Sequence, residues 1–271
     1  MQNSDFILDW TENLKKEIAE LPFNEDDIRK DFFGLLYDAC DNYYKGYLLL
    51  EFSTFINEGK ISFDNSISKV HVSRVLEIAR YPILTASHLH YLNRNLLFDA
   101  WSTFELAVTT FCIALANEHE KEKLLHHQYR DIFKSLKGID ISQNSLLKIR
   151  DCVQKHHLSH VPITRKTDFL FTRAKYHFRD SKKDRDFLLF MGKFRNTSHA
   201  NFIYHGKDYE YKFGNARFKF ENGKIVKWID PFEPSPKLYF YLIGQLKDIW
   251  AALINSIQHD KTILYPDLDQ E

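Results

Sequence analysis

One apolar stripe constrains the fold of this chain more than any other feature of its sequence. Within NLLFDAWSTFELAVTTFCIALA, residues 95–116, large apolar side chains recur every three or four positions: Leu97, Trp101, Phe104, Val108, Phe111 and Leu115. That spacing puts them on one face of an α-helix, and a continuous apolar face must pack against a core. The chain is therefore predicted to build its core around this helix.

The same periodicity predicts helices on both sides of that stripe. The pattern of residues 5–58 predicts two helices separated by a break near LPFNEDD. Asn24, Asp26 and Asp27 in that stretch supply start signals for the second helix. A polar linker, residues 59–68, is followed by two further helices with Pro82 at the break between them. Later helices are predicted over residues 120–137, 142–157 and 164–200, and over a last segment that Ser235-Pro236 caps.

The periodicity changes to alternation between residues 207 and 229. KDYEYKF, ARFKFE and KIVKWID alternate polar and apolar residues, and Gly214-Asn215 and Asn222-Gly223 between them are tight-turn pairs. The predicted fold is mainly α: a helical bundle with a small β-hairpin or meander inserted before the C-terminal helix. Residues 1–89 are interpreted as a helical region and residues 90–271 as a second helical domain, unless both form one continuous domain.

Charge and composition narrow the functional classes. The 37 basic and 37 acidic side chains balance, so a nucleic-acid role must depend on a local patch and not on bulk charge. Three scattered cysteines without a CxxC motif indicate a reducing compartment. Neither a secretion signal nor a run of about 18 apolar residues is recognisable, so we expect a cytoplasmic protein without a membrane segment.

The segment FRNTSHANFIYHG, residues 194–206, carries the strongest candidate site. Arg195 and His199 are four residues apart and would lie on one helix face, with Asn196 beside them. A guanidinium can bind phosphate oxygens in a fork, and an imidazole can transfer a proton near neutral pH. Neither role needs a metal or another cofactor. The alternative is an ordinary polar pair on a surface helix.

Positive charge is concentrated before this pair. Residues 161–200 hold ten Lys or Arg against four Asp. The predicted nucleic-acid contacts in this segment are Arg173, Lys175, His177, Arg179, Lys182, Lys183 and Arg185. A mixed basic and aromatic surface of this kind is typical of proteins that bind single-stranded nucleic acid.

The order of elements and the RNTSH stretch resemble the HEPN superfamily, over roughly residues 90–258. The resemblance implies a homodimer with a composite site at its interface and metal-independent cleavage of single-stranded RNA, in bacterial defence or a toxin–antitoxin system. Arg195 would stabilise the phosphate, His199 would act as general acid or base, and Asn196 would position one of them. Glu105 is a further catalytic candidate, with an ion pair as its alternative role. The three residues between Arg195 and His199 are one fewer than the family's usual minimum.

Two other functions stay open on the sequence. A non-catalytic HEPN-like module that binds RNA, a nucleotide or a partner protein is the main alternative. A metal site at His156 and His160 has helical spacing but lacks a third ligand nearby, so we expect no bound metal. The chain contains no GxxxxGK[ST], GxGxxG or GxSxG motif that would indicate an ATPase, dinucleotide or serine-hydrolase site.

Overall fold

The structure is a computed structural model that describes residues 2–60, 69, 72–74, 77, 82–117, 119–121, 123–124, 142, 145, 161–175, 179–198, 200–233 and 235–265. Within these residues the helices are Gln2–Glu20 (α1), Ile28–Asn57 (α2), Pro82–Leu115 (α3), Ile163–Phe171 (α4), Ser181–Ser198 (α5) and Lys237–Ser256 (α6). Three strands, Tyr209–Phe213 (β1), Ala216–Phe220 (β2) and Lys227–Ile229 (β3), lie between α5 and α6. The protein is 67% helical and 8% strand, which confirms the mainly α prediction.

Helix α3 carries the apolar stripe, and five of its six members are buried: Leu97, Trp101, Phe104, Val108 and Phe111. Leu115 is half-buried. The prediction of separate helices before and after residue 95 is wrong, because α3 runs without interruption from Pro82 to Leu115. No glycine or proline after Pro82 interrupts this stretch, so nothing local ends the helix.

Residues Ser87–Leu115 of α3 are long and apolar enough to cross a membrane by length and composition. The expectation of a cytoplasmic protein without a membrane segment stays a prediction. In the folded chain 61% of the most apolar window is buried. A core helix of a soluble protein meets the same test, so this finding is weak evidence for a membrane span.

Two compact units divide the chain, each assembled from three stretches. The first contains Met1–Pro22, Phe32–Thr103 and Ile203–Leu246, and the second contains Phe23–Asp31, Phe104–Phe202 and Lys247–Glu271. Helices α2, α3 and α6 each contribute residues to both units. The predicted boundary after residue 89 lies inside α3.

Aromatic side chains form the core of the first unit. Phe240 of α6 packs edge-on against Trp10 of α1 and Tyr43 of α2, with ring centroids 5.3 and 5.4 Å away. The Tyr43 hydroxyl donates a 2.7 Å hydrogen bond to Asn93 Oδ1, which ties α2 to α3. The indole of Trp228 on β3 stacks on His90 of α3 at 6.3 Å. The sheet is thus attached to the helices of its own unit.

The sheet is an antiparallel meander of order β1-β2-β3. Phe213 pairs with Ala216, which leaves Gly214 and Asn215 as a two-residue turn. Gly214 has a φ of 56°, the positive value that tight hairpin turns require at their first central residue. Asn222 and Gly223 form a β-turn closed by the Lys224 N–H and the Glu221 carbonyl, at 3.0 Å. The predicted meander over residues 207–229 is confirmed.

In the second unit, Trp250 of α6 is fully buried between α2 and α3. Its ring lies 5.6 Å from Phe111, and its indole N–H donates to the Arg29 carbonyl at 3.2 Å.

Ser235 Oγ accepts a hydrogen bond from the Lys237 N–H at the start of α6, as the predicted cap requires. Most residues of the predicted linker, residues 59–68, and of the predicted helices over residues 120–137 and 142–157 lie outside the described part of the chain.

The prediction of one helix from Thr164 to Ala200 is wrong, because α4 ends at Phe171 and α5 begins at Ser181. Asp180 explains the second start: its Oδ1 accepts the N–H groups of Lys182 and Lys183 at 3.0 and 3.2 Å. An aspartate that caps two free amides favours a new helix start over continuation of the preceding helix.

Candidate functional site

Arg195 and Asn196 lie in the last turn of α5. Arg195 is half-buried and Asn196 is exposed. The guanidinium Nη1 donates to Asn196 Oδ1 at 3.3 Å. The two adjacent side chains thus contact each other. His199 lies outside the described residues, so the geometry of the Arg195–His199 pair stays a prediction.

The buried side of α5 fixes the direction of Arg195. Its apolar stripe, Phe187, Phe190, Met191 and Phe194, is buried throughout. Thr197 is also buried, and its Oγ1 donates back to the Phe194 carbonyl at 2.6 Å. Residues 194 and 197 anchor the final turn, while Asn196 between them faces solvent.

A strained turn follows the helix. Asn201 and Phe202 both have positive φ, 52° and 62°. For a bulky residue such as Phe202 that conformation costs about 1–3 kcal/mol. The Phe202 N–H is held by the Thr197 carbonyl at 2.7 Å, and its ring packs 6.3 Å from Phe194. The chain therefore reverses in a fixed geometry within seven residues of Arg195.

Lys193 of α5 is a second cation, two residues before Arg195 in the sequence. It is half-buried, and burial lowers the pKa of its ammonium group. The charge of Lys193 is therefore less hydrated than that of a surface lysine, and a nearby anion would stabilise it. Lys193 was counted in the basic segment of the sequence, and its partial burial is what the structure adds.

Glu105 of α3 lies beside a buried lysine. Lys166 of α4 is fully buried, and its Nζ donates to Thr109 Oγ1 at 2.8 Å. Burial lowers the pKa of Lys166, and the negative charge of Glu105 opposes that shift. The negative charge of the half-buried Glu105 therefore favours the charged form of Lys166. This is an electrostatic role, similar to the ion pair considered as the alternative for Glu105.

Sequence reasoning missed Lys166, although a signal was present. Ile163, Lys166, Leu170 and Phe171 follow helical spacing, so the lysine occupies a position in the apolar stripe of α4. Cys112 of α3 donates its thiol hydrogen to the Lys166 carbonyl at 3.3 Å, and burial raises the pKa of this thiol to about 12. Cys112 is thus an unreactive buried thiol.

Carboxylates neutralise three arginines of the predicted nucleic-acid surface. Arg173 pairs with Glu120 and lies 3.6 Å above the Phe169 ring. Arg179 makes two hydrogen bonds to the buried Asp184, at 2.9 and 2.6 Å. Arg185 lies 3.4 Å from Asp168. The local excess of positive charge is smaller than the count of basic residues indicated.

The remaining predicted contacts of this segment differ in their surroundings. Lys175, Lys182 and Lys183 are exposed. Lys183 is 3.8 Å from Asp180, a long separation that contributes little in water. His177 lies outside the described residues. Of the seven predicted contacts, Lys175 and Lys182 make no ion pair with any residue that the structure describes.

Two open clefts flank α4. The first, about 330 Å³, is lined by Thr164, Thr167, Asp168, Arg185, Asp186 and neighbouring apolar residues. The second, about 360 Å³, is lined by Glu120, Lys123, Arg165, Phe169 and Thr172 among others. Both linings mix charges of opposite sign, and neither includes Arg195 or Asn196. They therefore add nothing to the phosphate site predicted at the end of α5.

No group of three His, Cys, Asp or Glu side chains suited to a metal ion occurs among the described residues. His156 and His160 lie outside them, so the prediction about that pair stays open. Comparison with protein-family models, with curated proteins and with solved structures gave no match to this chain.

Proposed function

We propose that this protein is a HEPN-like, metal-independent endoribonuclease that cleaves single-stranded RNA with Arg195 and His199. The observation that carries the proposal is the position of Arg195 and Asn196 in the last turn of α5, directly before the strained turn at Asn201 and Phe202. Strained backbone is commonly retained where a site must be held in one geometry.

The proposed reaction is a transesterification within the RNA chain. The ribose 2′-oxygen attacks the adjacent phosphorus and gives up its proton to a base, while the bond from phosphorus to the 5′-oxygen breaks and that oxygen takes up a proton. The products are a 2′,3′-cyclic phosphate and a free 5′-hydroxyl. Arg195 stabilises the added negative charge on the phosphate oxygens, and His199 transfers one of the two protons.

His199 of one chain supplies only one of these two proton transfers. A homodimer that brings together the α5 ends of two copies supplies an arginine and a histidine from each, which is the arrangement that the resemblance implies. We propose a cytoplasmic role in bacterial defence or a toxin–antitoxin system, where a partner protein would regulate the cleavage. Asn196 positions Arg195 through the side-chain contact at 3.3 Å.

A non-catalytic HEPN-like binding module is the second candidate. The pairing of Arg173, Arg179 and Arg185 with carboxylates favours the form of this module that binds a nucleotide or a partner protein, because an RNA that entered this surface would compete with three existing ion pairs. The short spacing between Arg195 and His199 favours it as well. In that case Arg195 would bind RNA, a nucleotide or a partner without cleavage.

The test is incubation of labelled single-stranded RNA with purified protein in excess EDTA. Wild type is expected to produce 2′,3′-cyclic phosphate ends. Arg195→Ala and His199→Ala are each expected to lower the rate by about 100-fold or more. Arg74→Ala is the matched control, since Arg74 is an exposed arginine paired with Glu77. Equal cleavage by wild type and both site variants would contradict the proposal.

A mixture of the two inactive variants tests the composite site. Subunit exchange would create dimers that retain one arginine and one histidine, and we expect measurable cleavage to return. If wild type instead binds the RNA without cleaving it, and Arg195→Ala then abolishes this binding, the result supports the binding module.

A further inference from the structure

The solvent face of the sheet carries a concentration of positive charge. Alternate residues of the three strands are exposed on it: Glu210 and Lys212 of β1, Arg217 and Lys219 of β2, and Lys227 and Ile229 of β3. Four of these six side chains are cations and one is an anion. The opposite face of β2, at Ala216, Phe218 and Phe220, is fully buried.

The register places like charges directly opposite one another. Lys212 pairs with Arg217 across β1 and β2, and Lys219 pairs with Lys227 across β2 and β3. Directly opposite side chains in an antiparallel pair lie about 5 Å apart, where like charges destabilise a sheet. A sheet selected for stability alone would alternate the signs at these positions. The repulsion would be relieved by a bound polyanion.

Little within the described chain neutralises these cations. The Glu221 carboxylate forms ion pairs with Lys219 Nζ at 3.1 Å and with Lys224 Nζ at 3.5 Å. Lys212, Arg217 and Lys227 make no ion pair with any residue that the structure describes. Among the exposed residues of the strands themselves, Glu210 is the one carboxylate, and it lies opposite Lys219.

We infer that this face of the sheet binds the phosphate backbone of single-stranded RNA. Successive exposed side chains of one strand are about 6.6 Å apart, and neighbouring strands are about 4.8 Å apart. The cations thus form a grid of separate charges, which suits a ligand whose negative charges repeat along a chain. Ile225 and Ile229, 61% and 63% exposed, give apolar contacts for unstacked bases beside that grid.

This inference goes beyond the proposed function, because it assigns binding to residues other than Arg195 and His199. It applies equally to a nuclease and to a non-catalytic module. An anionic membrane is disfavoured as the ligand, since two exposed isoleucines bury little apolar surface compared with an amphipathic helix. A protein partner would find no extended apolar surface at the centre of the basic grid.

The test measures the anisotropy of a labelled single-stranded polyuridine oligonucleotide as a function of salt. All proteins carry His199→Ala, which keeps Arg195 in place and is expected to slow cleavage by about 100-fold or more during the measurement. The double variant Arg217→Gln/Lys227→Gln is expected to bind at least about tenfold more weakly at low salt. The slope of log affinity against log salt should fall by about 1.4, or 0.7 for each lost phosphate contact.

The matched control is Lys15→Gln/Lys16→Gln, which removes the same charge from exposed positions on α1. It should bind like the parent protein. The melting temperature of the sheet variant at low salt should equal or exceed that of the parent, because a repulsion has been removed. Weaker binding with an intact fold would therefore be an effect of the sheet face.

Three results would overturn the inference: equal binding by the sheet variant and the control, no salt-dependent binding by the parent, or binding to phosphatidylserine vesicles in place of RNA. Failure of the nuclease proposal would look different. It would give intact RNA with wild type while the sheet variant still lost its binding.

Discussion

Asp27 illustrates how one side chain can hold distant parts of a unit together. Its Oδ1 accepts the Arg29 N–H at 3.0 Å and caps the first turn of α2. The same carboxylate pairs with the Arg29 guanidinium at 2.6 Å and accepts the Ile263 N–H at 3.3 Å. Arg29 in turn donates to the carbonyls of His259 and Lys261. The segment after α6 is thereby fastened to the start of α2.

Replacement of Asp27 should be costly. Asp27→Ala leaves the buried Arg29 without its counter-charge, and we expect a loss of about 3–5 kcal/mol in the free energy of unfolding. Urea denaturation followed by far-UV circular dichroism measures it. Asp26→Ala is the control, because Asp26 is exposed and should change stability by less than about 0.5 kcal/mol. Equal effects at both positions would contradict the role assigned to Asp27.

The same residue predicts a pH dependence. Burial by itself raises the pKa of the Asp27 carboxyl, but hydrogen bonds from Arg29 and Ile263 outweigh burial and hold the pKa below its usual value. A lowered pKa in the folded state means that the stabilisation is complete above the unfolded pKa of about 3.9. It is lost as the pH falls through the folded value. Asp27→Asn should therefore flatten the acid side of the stability profile.

The β1–β2 turn shows what a single element requires. Gly214 has a φ of 56°, and a Cβ there would meet no neighbouring atom within 4 Å, so conformation alone restricts the position. We expect Gly214→Ala to destabilise the protein by about 1 kcal/mol or more. Gly34 of α2 is the matched control, since it also has open space but lies in a helix. Gly34→Ala should raise stability by about 0.5–1 kcal/mol, measured by thermal unfolding. Loss of stability in both variants would mean that space, and not backbone geometry, limits Gly214.

The two units interleave along the chain, so neither corresponds to a continuous fragment. Residues Phe23–Asp31 belong to the unit that also contains Lys247–Glu271. A fragment of residues 82–271 keeps α3 whole but lacks Asp27 and Arg29, and Trp250 loses the Arg29 carbonyl that accepts its indole N–H. We expect this fragment not to unfold cooperatively, as followed by Trp fluorescence.

Co-expression of residues 1–81 with that fragment is the control and should restore a cooperative transition if the two pieces associate. A fragment that unfolds cooperatively alone would show that residues 23–31 are dispensable for the second unit. The division at residue 89 would then describe the folding of the chain better than the two interleaved units do.

Features encoded by neighbouring residues were predictable from the sequence. The stripe from Leu97 to Phe111 has a helical period, Gly214-Asn215 supplies the positive φ of a tight turn, and Ser235 caps the helix after Pro236. Each depends on steric and hydrogen-bonding preferences within about one turn of chain, so the local sequence is sufficient. The candidate Arg195 and Asn196 were found in the same way, from the residue types and their spacing.

Other features depend on residues that are distant in sequence, and the tertiary fold decides them. Arg173 meets Glu120 across 53 positions, so its charge is neutralised in a way that a count of basic residues does not reveal. Lys166 lies in the core because Thr109 and Glu105 of another helix stabilise its ammonium group. The basic face of the sheet likewise requires the register that sets Lys219 opposite Lys227. Alternation in the sequence predicts the strands, but only pairing between them brings their charges together.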